Sequence, residues 1–482
     1  MSLFFNFLKN SFFLTIAVVI DRIADFLLVI YLTRFLSQED IGIYFVVITI
    51  LFICQNLVNY GLVQLATREI AQDTTNIQER IYLLGVIGIG LGILSTILLL
   101  LAIPFLGDSE GIATGLQIVA FSLLPGSLRG VGEAVFTAVE RVENIAWVTG
   151  ISGVARTVLS FIALWLGWGI NGIFLILVLT QWLIAFAYFA LIISNFGLPG
   201  AHITKNSLRP FARPVLTFTI MSFFLVGSNN INVILVSRLS TVEEAALYAL
   251  AFKVVQAFIL LRPIVMRALF PSMVKIADSL PDLQLLTSQM FRTIVILLAP
   301  IPVMLLVLAE PIINLLYGAE FEEAVPTLQI LGWGVLLSFL SVGLHRILLA
   351  TNKDKVALWV SVIATGLNLF VGIILIPEFG ATGAAFASLV SLLGAFLLTF
   401  GWLRFEQLYI SIGFVFVRPM LSLLLAISFA FLLNNHYHLH LVISILVFIM
   451  VYLVALFLVR AVSRTEIENF WLSTRGYILN RT

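Results

Sequence analysis

The chain has 482 residues, of which 61% are hydrophobic and only 11% charged, with a formal net charge of +1. Soluble domains average roughly 45–50% and 25%, so a mean hydropathy of +1.12 excludes a soluble core. Cys54 is the single cysteine, which excludes an intramolecular disulfide.

In chain order the apolar runs fall near 11–35, 41–65, 81–103, 112–138, 144–166, 170–194, 211–237, 244–274, 290–309, 324–351, 356–376, 381–403, 412–433 and 441–460. A span needs roughly 20 residues. A backbone in hydrocarbon must satisfy its own hydrogen bonds, so every run is read as a helix. The prediction is an all-α integral membrane protein with about 14 transmembrane helices. The first run lacks a small-residue cleavage site and is expected to remain as an anchor. Arg418 and Pro419 interrupt the thirteenth.

The first span carries a knot of charge, Asp21, Arg22 and Asp25, and the second has none. A polar turn, Ser37–Asp40, joins them. About 204 residues later the pattern returns: Arg34 and Tyr44 recur as Arg238 and Tyr248, Asp40 as Glu244, and Asp25 as Asn229. Ala138 and Trp147 recur as Ala350 and Trp359, and the Gly169/Gly172 turn recurs as Gly380/Gly383. Helices 1–6 therefore correspond to helices 7–12. Six helices return the chain to its starting side, so the repeat is parallel. Residues 1–194 are read as the first lobe, 195–210 as a cytoplasmic linker and 211–405 as the second lobe. Residues 406–462 hold two extra helices and 463–482 form a tail.

Loop charges orient the chain. With the N-terminus inside, seventeen of the 26 Lys and Arg lie in cytoplasmic segments, and only Arg34 and Arg238 fall outside. That bias places both termini in the cytoplasm.

Within the spans Arg22, Arg129, Arg156, Lys253, Arg262, Arg267 and Arg346 stand against Asp21, Asp25 and Glu133. Each charge facing lipid at mid-depth costs on the order of 3 kcal/mol. Seven cations cannot all be neutralised by three carboxylates, so a water-filled cavity with surplus positive charge is the simplest arrangement. A pyrophosphate or an acidic sugar suits such a cavity. Arg156 and Lys253 lie roughly 15–18 Å deep by helix rise, while Arg129, Arg262 and Arg346 lie nearer the cytoplasmic side. Arg22 is spaced to reach Asp25 at i+3, and Arg129 to pair with Glu133 at i+4. Lys253 and Arg262 have the fewest partners in sequence, and Pro263 after Arg262 offers a kink. The Asp21/Arg22/Asp25 knot fits either a structural lock or a coupling and gating site for Na⁺ or H⁺. Its second-half counterpart, Asn229, is an amide that cannot exchange a proton. Asn229, Asn230 and Asn232 also fit interhelical hydrogen bonding. Gly88 and Gly92 read as helix packing. His436, His438 and His440 read as a solvated loop rather than a metal site. No nucleotide, nucleophile or metal-ligand constellation stands out, so neither catalysis nor a cofactor is expected.

The run Leu32-Thr-Arg34-Phe-Leu-Ser-Gln-Glu-Asp40-Ile-Gly42-Ile-Tyr44 resembles the first hairpin of polysaccharide-type flippases. These belong to the multidrug/oligosaccharidyl-lipid/polysaccharide exporter superfamily. Arg68-Glu69-Ile70-Ala71 and the Gly169 and Gly380 turns are similar too. The resemblance implies two pseudo-symmetric six-helix lobes around a central cavity, plus two extra helices. It implies a lipid-linked oligosaccharide as cargo, moved across the cytoplasmic membrane. The partners implied are that lipid, the surrounding membrane lipids, and a polysaccharide polymerase or glycosyltransferases, with no nucleic acid. The alternatives are a cation-coupled multidrug exporter of the same superfamily and a non-transporting membrane scaffold. The basic surplus and the extra helices weigh against the first, and ten intramembrane charges against the second.

Overall fold

In a computed structural model, residues 2–72, 76–107, 109–198, 231–409, 413–437, 441–459 and 461 are described. The expected linker beyond residue 198, Asn229, Asn230, His438, His440 and the tail 463–482 lie outside them. The described residues form helices and no strand. In chain order these are α1 (Ser2–Leu32), α2 (Gln38–Gln72), α3 (Ile77–Leu106), α4 (Glu110–Ala120), α5 (Leu123–Ala138), α6 (Val142–Trp165) and α7 (Gly169–Phe196). After a helical stretch at 231–239 come α8 (Val242–Ile259), α9 (Arg262–Lys275), α10 (Leu280–Leu298), α11 (Pro300–Leu316) and α12 (Val325–Ala350). The chain continues through α13 (Asp354–Phe405), α14 (Arg418–Tyr437) and α15 (Leu441–Leu458).

Among the described residues seven helices are long and apolar enough to cross a membrane, eight if the bent pair α4–α5 is one span. α13 counts once there, yet its 52 residues would extend about 78 Å at 1.5 Å per residue, more than twice a hydrocarbon core. Gly380 breaks it with φ 52° and ψ −126°. The two segments on either side of that break are the expected spans 356–376 and 381–403.

Three expected runs are divided. The run 112–138 bends by 45° between α4 and α5. The run 244–274 breaks at Leu260–Leu261, so Pro263 sits in the first turn of α9, where its missing N–H costs nothing, and does not kink a continuous helix. The run 290–309 is replaced by α10 and α11, consecutive helices from Leu280 to Leu316. Arg418 and Pro419 begin α14 behind a π-turn at Gly413–Val417, so they start a helix where the sequence predicts an interruption.

The chain forms two compact units. The first holds residues 1–249 with the short segments 314–322 and 376–381; the second holds the rest. The core of the first unit joins Leu62, Ala66 and Ile70 of α2, Leu84 of α3, Val135 and Phe136 of α5, and Ile184 and Tyr188 of α7. Small residues allow this contact. Gly88 of α3 packs on Val131 and Leu62, Gly92 packs on Leu124, and Ser127 Oγ donates to Gly88 O at 2.8 Å. The predicted packing role of Gly88 and Gly92 is thus realised. Large apolar side chains such as Phe105, Trp165 and Phe405 point outward instead, as they do on a surface that meets lipid.

Gly169 and Gly380, equivalent turns in the repeat, have φ of +58° and +52°. At Gly380 the carboxylate of Glu244 packs over the Cα, and its Oε2 accepts the Ala381 N–H at 2.7 Å. That bond satisfies a donor exposed by the break. A side chain at Gly380 meets both an unfavourable φ and this carboxylate. Gly380→Ala should therefore lose about 1–3 kcal/mol of stability. Gly366, in a helical stretch of α13 with open space around its Cα, should tolerate alanine or gain up to about 1 kcal/mol. Thermal melts of the two variants in detergent check this.

Candidate functional site

Asp21 and Asp25 lie one helical turn apart on α1, which packs along α6. Gly153 of α6 makes that approach close, because the Asp21 carboxylate occupies the space a Cβ would fill. One turn on, Thr157 Oγ1 donates to Ala24 O at 3.2 Å and to Gly153 O at 3.0 Å. Between these contacts Arg156 faces both aspartates. Its Nη2 lies 3.6 Å from Asp21 Oδ1 and 3.8 Å from Asp25 Oδ1.

These distances exceed hydrogen-bond reach, so Arg156 meets the two carboxylates through charge and not through hydrogen bonds. Its three side chains are 21–29% exposed, and the buried Nε of Arg156 has no hydrogen-bond partner among the described residues. Two carboxylates thus share one guanidinium. Arg22 is exposed on the same turn. The spacing of Arg22 predicts an intrahelical pair with Asp25, but Arg156 on another helix is the cation that bridges the two carboxylates.

A second charged pair lies on α5. Arg129 Nε donates to Glu133 Oε1 at 2.7 Å, the expected i,i+4 pair. Beside it Gly126 and Gly130 let the α2 side chains Gln55 and Asn59 pack close. Gln55 Nε2 and Asn59 Oδ1 are buried and lack hydrogen-bond partners among the described residues. Charge inspection of the sequence misses Gln55, Asn59, Gly153 and Thr157, which are uncharged. The Gly153/Thr157 spacing of four, a small-residue stripe, was the available signal.

In the second unit Lys253 is half-buried and engages a neighbouring group. Arg262 is half-buried at the start of α9. Arg346 of α12 sits over the Phe270 ring of α9, 5.5 Å from its centroid. This cation–π contact holds the guanidinium while leaving its in-plane donors available. Asn232, one of the asparagines expected to bond across helices, donates through Nδ2 to the Tyr248 hydroxyl at 3.1 Å.

Residues 7–277 match the model of a family described as "Polysaccharide biosynthesis protein". The chain is 24% identical over 492 residues to "Probable low-salt glycan biosynthesis flippase Agl15" of Haloferax volcanii, with 96% of this chain and 98% of that one covered. Its fold is similar to that of the lipid II flippase MurJ in an inward closed conformation. The TM-score is 0.73 at 17% identity, with 92% of this chain and 97% of the other covered. It is also similar to an inward-facing multidrug resistance transporter of the MATE family, within the MOP superfamily. There the TM-score is 0.68 at 13% identity, with 80% and 95% covered.

Removing the cation from the α1–α6 cluster leaves two like charges facing each other in a poorly hydrated site. Arg156→Gln should lower stability by about 1–3 kcal/mol. Adding Asp21→Asn and Asp25→Asn should restore most of that loss. Melting temperatures of the single and triple variants in detergent measure the coupling.

Proposed function

Because the chain belongs to the polysaccharide biosynthesis protein family, we propose that it flips a lipid-linked oligosaccharide, of the polyprenyl-pyrophosphate type, from the inner to the outer leaflet of the cytoplasmic membrane. It is a multi-pass membrane transporter and not an enzyme. Its product feeds cell-surface polysaccharide biosynthesis, with a polymerase or glycosyltransferases as neighbours in the pathway. Both termini are cytoplasmic in this reading, on the strength of the loop charges.

The observation that carries the reading is the cation surplus inside apolar helices. Asp21 and Asp25 face Arg156, and Glu133 pairs with Arg129. The other cations within the expected spans are Arg22, Lys253, Arg262, Arg267 and Arg346, so cations outnumber carboxylates there. A surplus of this sign favours an anionic head group over the organic cations of a drug exporter. Arg129, Arg262 and Arg346 attract the pyrophosphate near the cytoplasmic mouth, and Arg22, Arg156 and Lys253 hold it at mid-depth. Guanidinium and ammonium groups donate to its oxygens. The lipid tail stays in the bilayer, and the two halves of the repeat alternate access to the head group.

Asp21 and Asp25 supply the coupling function. A carboxylate can exchange Na⁺ or H⁺, whereas the amide of Asn229, the equivalent second-half residue, cannot. Asp25→Asn should abolish gradient-dependent transport while the protein still inserts and folds. Flipping assays with and without an imposed Na⁺ or pH gradient test this, and full gradient dependence in the variant removes Asp25 from the mechanism.

Head-group capture is tested separately. Lys253→Ala and Arg262→Ala should each slow flipping of a lipid-linked oligosaccharide in reconstituted vesicles by roughly ten-fold at limiting substrate, about 1.4 kcal/mol. Arg475→Ala in the tail should leave the rate unchanged. Equal rates for all three proteins at every substrate concentration would sink the assignment of Lys253 and Arg262.

A further inference from the structure

The duplicated Arg34/Arg238 motif lies outside the head-group residues proposed above, and each arginine makes a long-range contact to a helix C-terminus. Arg34, just past the end of α1, donates from Nη2 to Leu315 O at 2.9 Å and more weakly to Leu316 O at 3.5 Å. These are the last two carbonyls of α11. Arg238, at the end of the helical stretch 231–239, donates from Nη2 to Phe105 O, the penultimate carbonyl of α3. Arg34 and Arg238 are 204 residues apart, and Phe105 and Leu315 are 210 apart. Pro104 of α3 and Pro311 of α11 are 207 apart, which marks the two receiving helices as equivalents in the repeat. A first-half arginine therefore holds a second-half helix, and a second-half arginine holds a first-half helix.

The chemistry suits a releasable contact. The last carbonyls of a helix lack intrahelical donors and carry the negative end of its dipole, so a guanidinium binds there favourably. Both arginines are exposed, so water can replace either bond. Their turns are held by local caps. Ser37 Oγ accepts the Asp40 N–H at 3.2 Å, and Thr241 Oγ1 accepts the Glu244 N–H at 3.2 Å. Between the two turns the Cα of Gly42 packs against the Val242 carbonyl, with no room for a Cβ. Gly318, past the end of α11 with φ +104°, has a Cβ position only 3.1 Å from Arg34 Nη1. All of these residues belong to the first compact unit.

We propose that Arg34 and Arg238 form a reciprocal clasp between the halves of the repeat, and that both contacts must release before the transporter opens on this face. The inference rests on the alternating-access reading, and the loop charges put this face outside. The structure is the clasped form. Each arginine shifts the clasped-to-open ratio by roughly two- to five-fold, the range for a cation at an exposed helix end. Losing both shifts it further.

Pulsed electron paramagnetic resonance on full-length protein in nanodiscs tests the clasp. In a Cys54→Ser background, spin labels at Glu39→Cys and Glu322→Cys, both exposed, report the clasped face. Labels at Glu143→Cys and Asp354→Cys report the opposite face. Arg34→Ala and Arg238→Ala should each raise the long-distance population of the first pair two- to five-fold, and Arg34→Lys, which keeps a donor, should stay near wild type. An unchanged first-pair distribution in the Arg34→Ala/Arg238→Ala double variant, with a melting temperature like wild type, overturns the clasp. If a lipid-linked oligosaccharide still shifts both pairs in opposite directions in the unmutated background, alternating access survives that result. If the double variant lengthens the first pair while the second pair does not shorten, the clasp stands and alternating access fails.

Discussion

A charge inside an apolar span has no water to turn to, and meeting lipid at mid-depth costs on the order of 3 kcal/mol. The first half of the chain meets that constraint with one close helix contact. Gly153 removes the side chain that would keep α1 away from α6, and the Asp21 carboxylate fills the space. Arg156 then lies between Asp21 and Asp25, and Thr157 ties the same turn of α6 to the α1 backbone. A larger residue at 153 would separate these charges and expose each to the full desolvation cost. The closeness of two helices is thus what allows the ionisable groups to exist where they do.

Arg156 is well placed but only loosely bonded to the two carboxylates. Separations of 3.6 and 3.8 Å give attraction without directional hydrogen bonds. A bidentate arginine–carboxylate pair would be tighter and harder to open. The Arg129–Glu133 pair is firmer, with one hydrogen bond of 2.7 Å from Nε to Oε1 within one helix, and neutralises itself locally. Arg346 is held differently again, by the face of Phe270, which leaves its donor edge unspent. Three ways of accommodating a cation in apolar surroundings therefore coexist among the described residues.

The repeat organises the ends of the helices as much as their interiors. Gly169 and Gly380 both adopt positive φ at equivalent turns, but only Gly380 lies beneath a carboxylate, that of Glu244. Arg34 and Arg238 both reach helix C-termini, and in each case the helix belongs to the other half. Such exchanged contacts join the halves where their backbone groups are polar and can trade protein partners for water.

The sequence alone was sufficient for the membrane class, the all-α fold and the glycine turns, because these follow from local hydrophobicity, spacing and backbone preference. Gly88, Gly92, Gly169 and Gly380 behave as their spacing predicts, and so does the Arg129–Glu133 pair, since i,i+4 geometry is built into any helix. Breaks such as Leu260–Leu261 and the π-turn before Arg418 escaped it, because a run of apolar residues has the same composition whether or not its helix is continuous. Which cation meets Asp21 and Asp25 was likewise decided by tertiary structure. Periodicity offers Arg22, three residues from Asp25, but packing brings Arg156 from 131 residues further along the chain. A charge pairs with what the fold places beside it, and the distance between two helices is set by Gly153 and its neighbours on both of them, a property no single stretch of sequence contains.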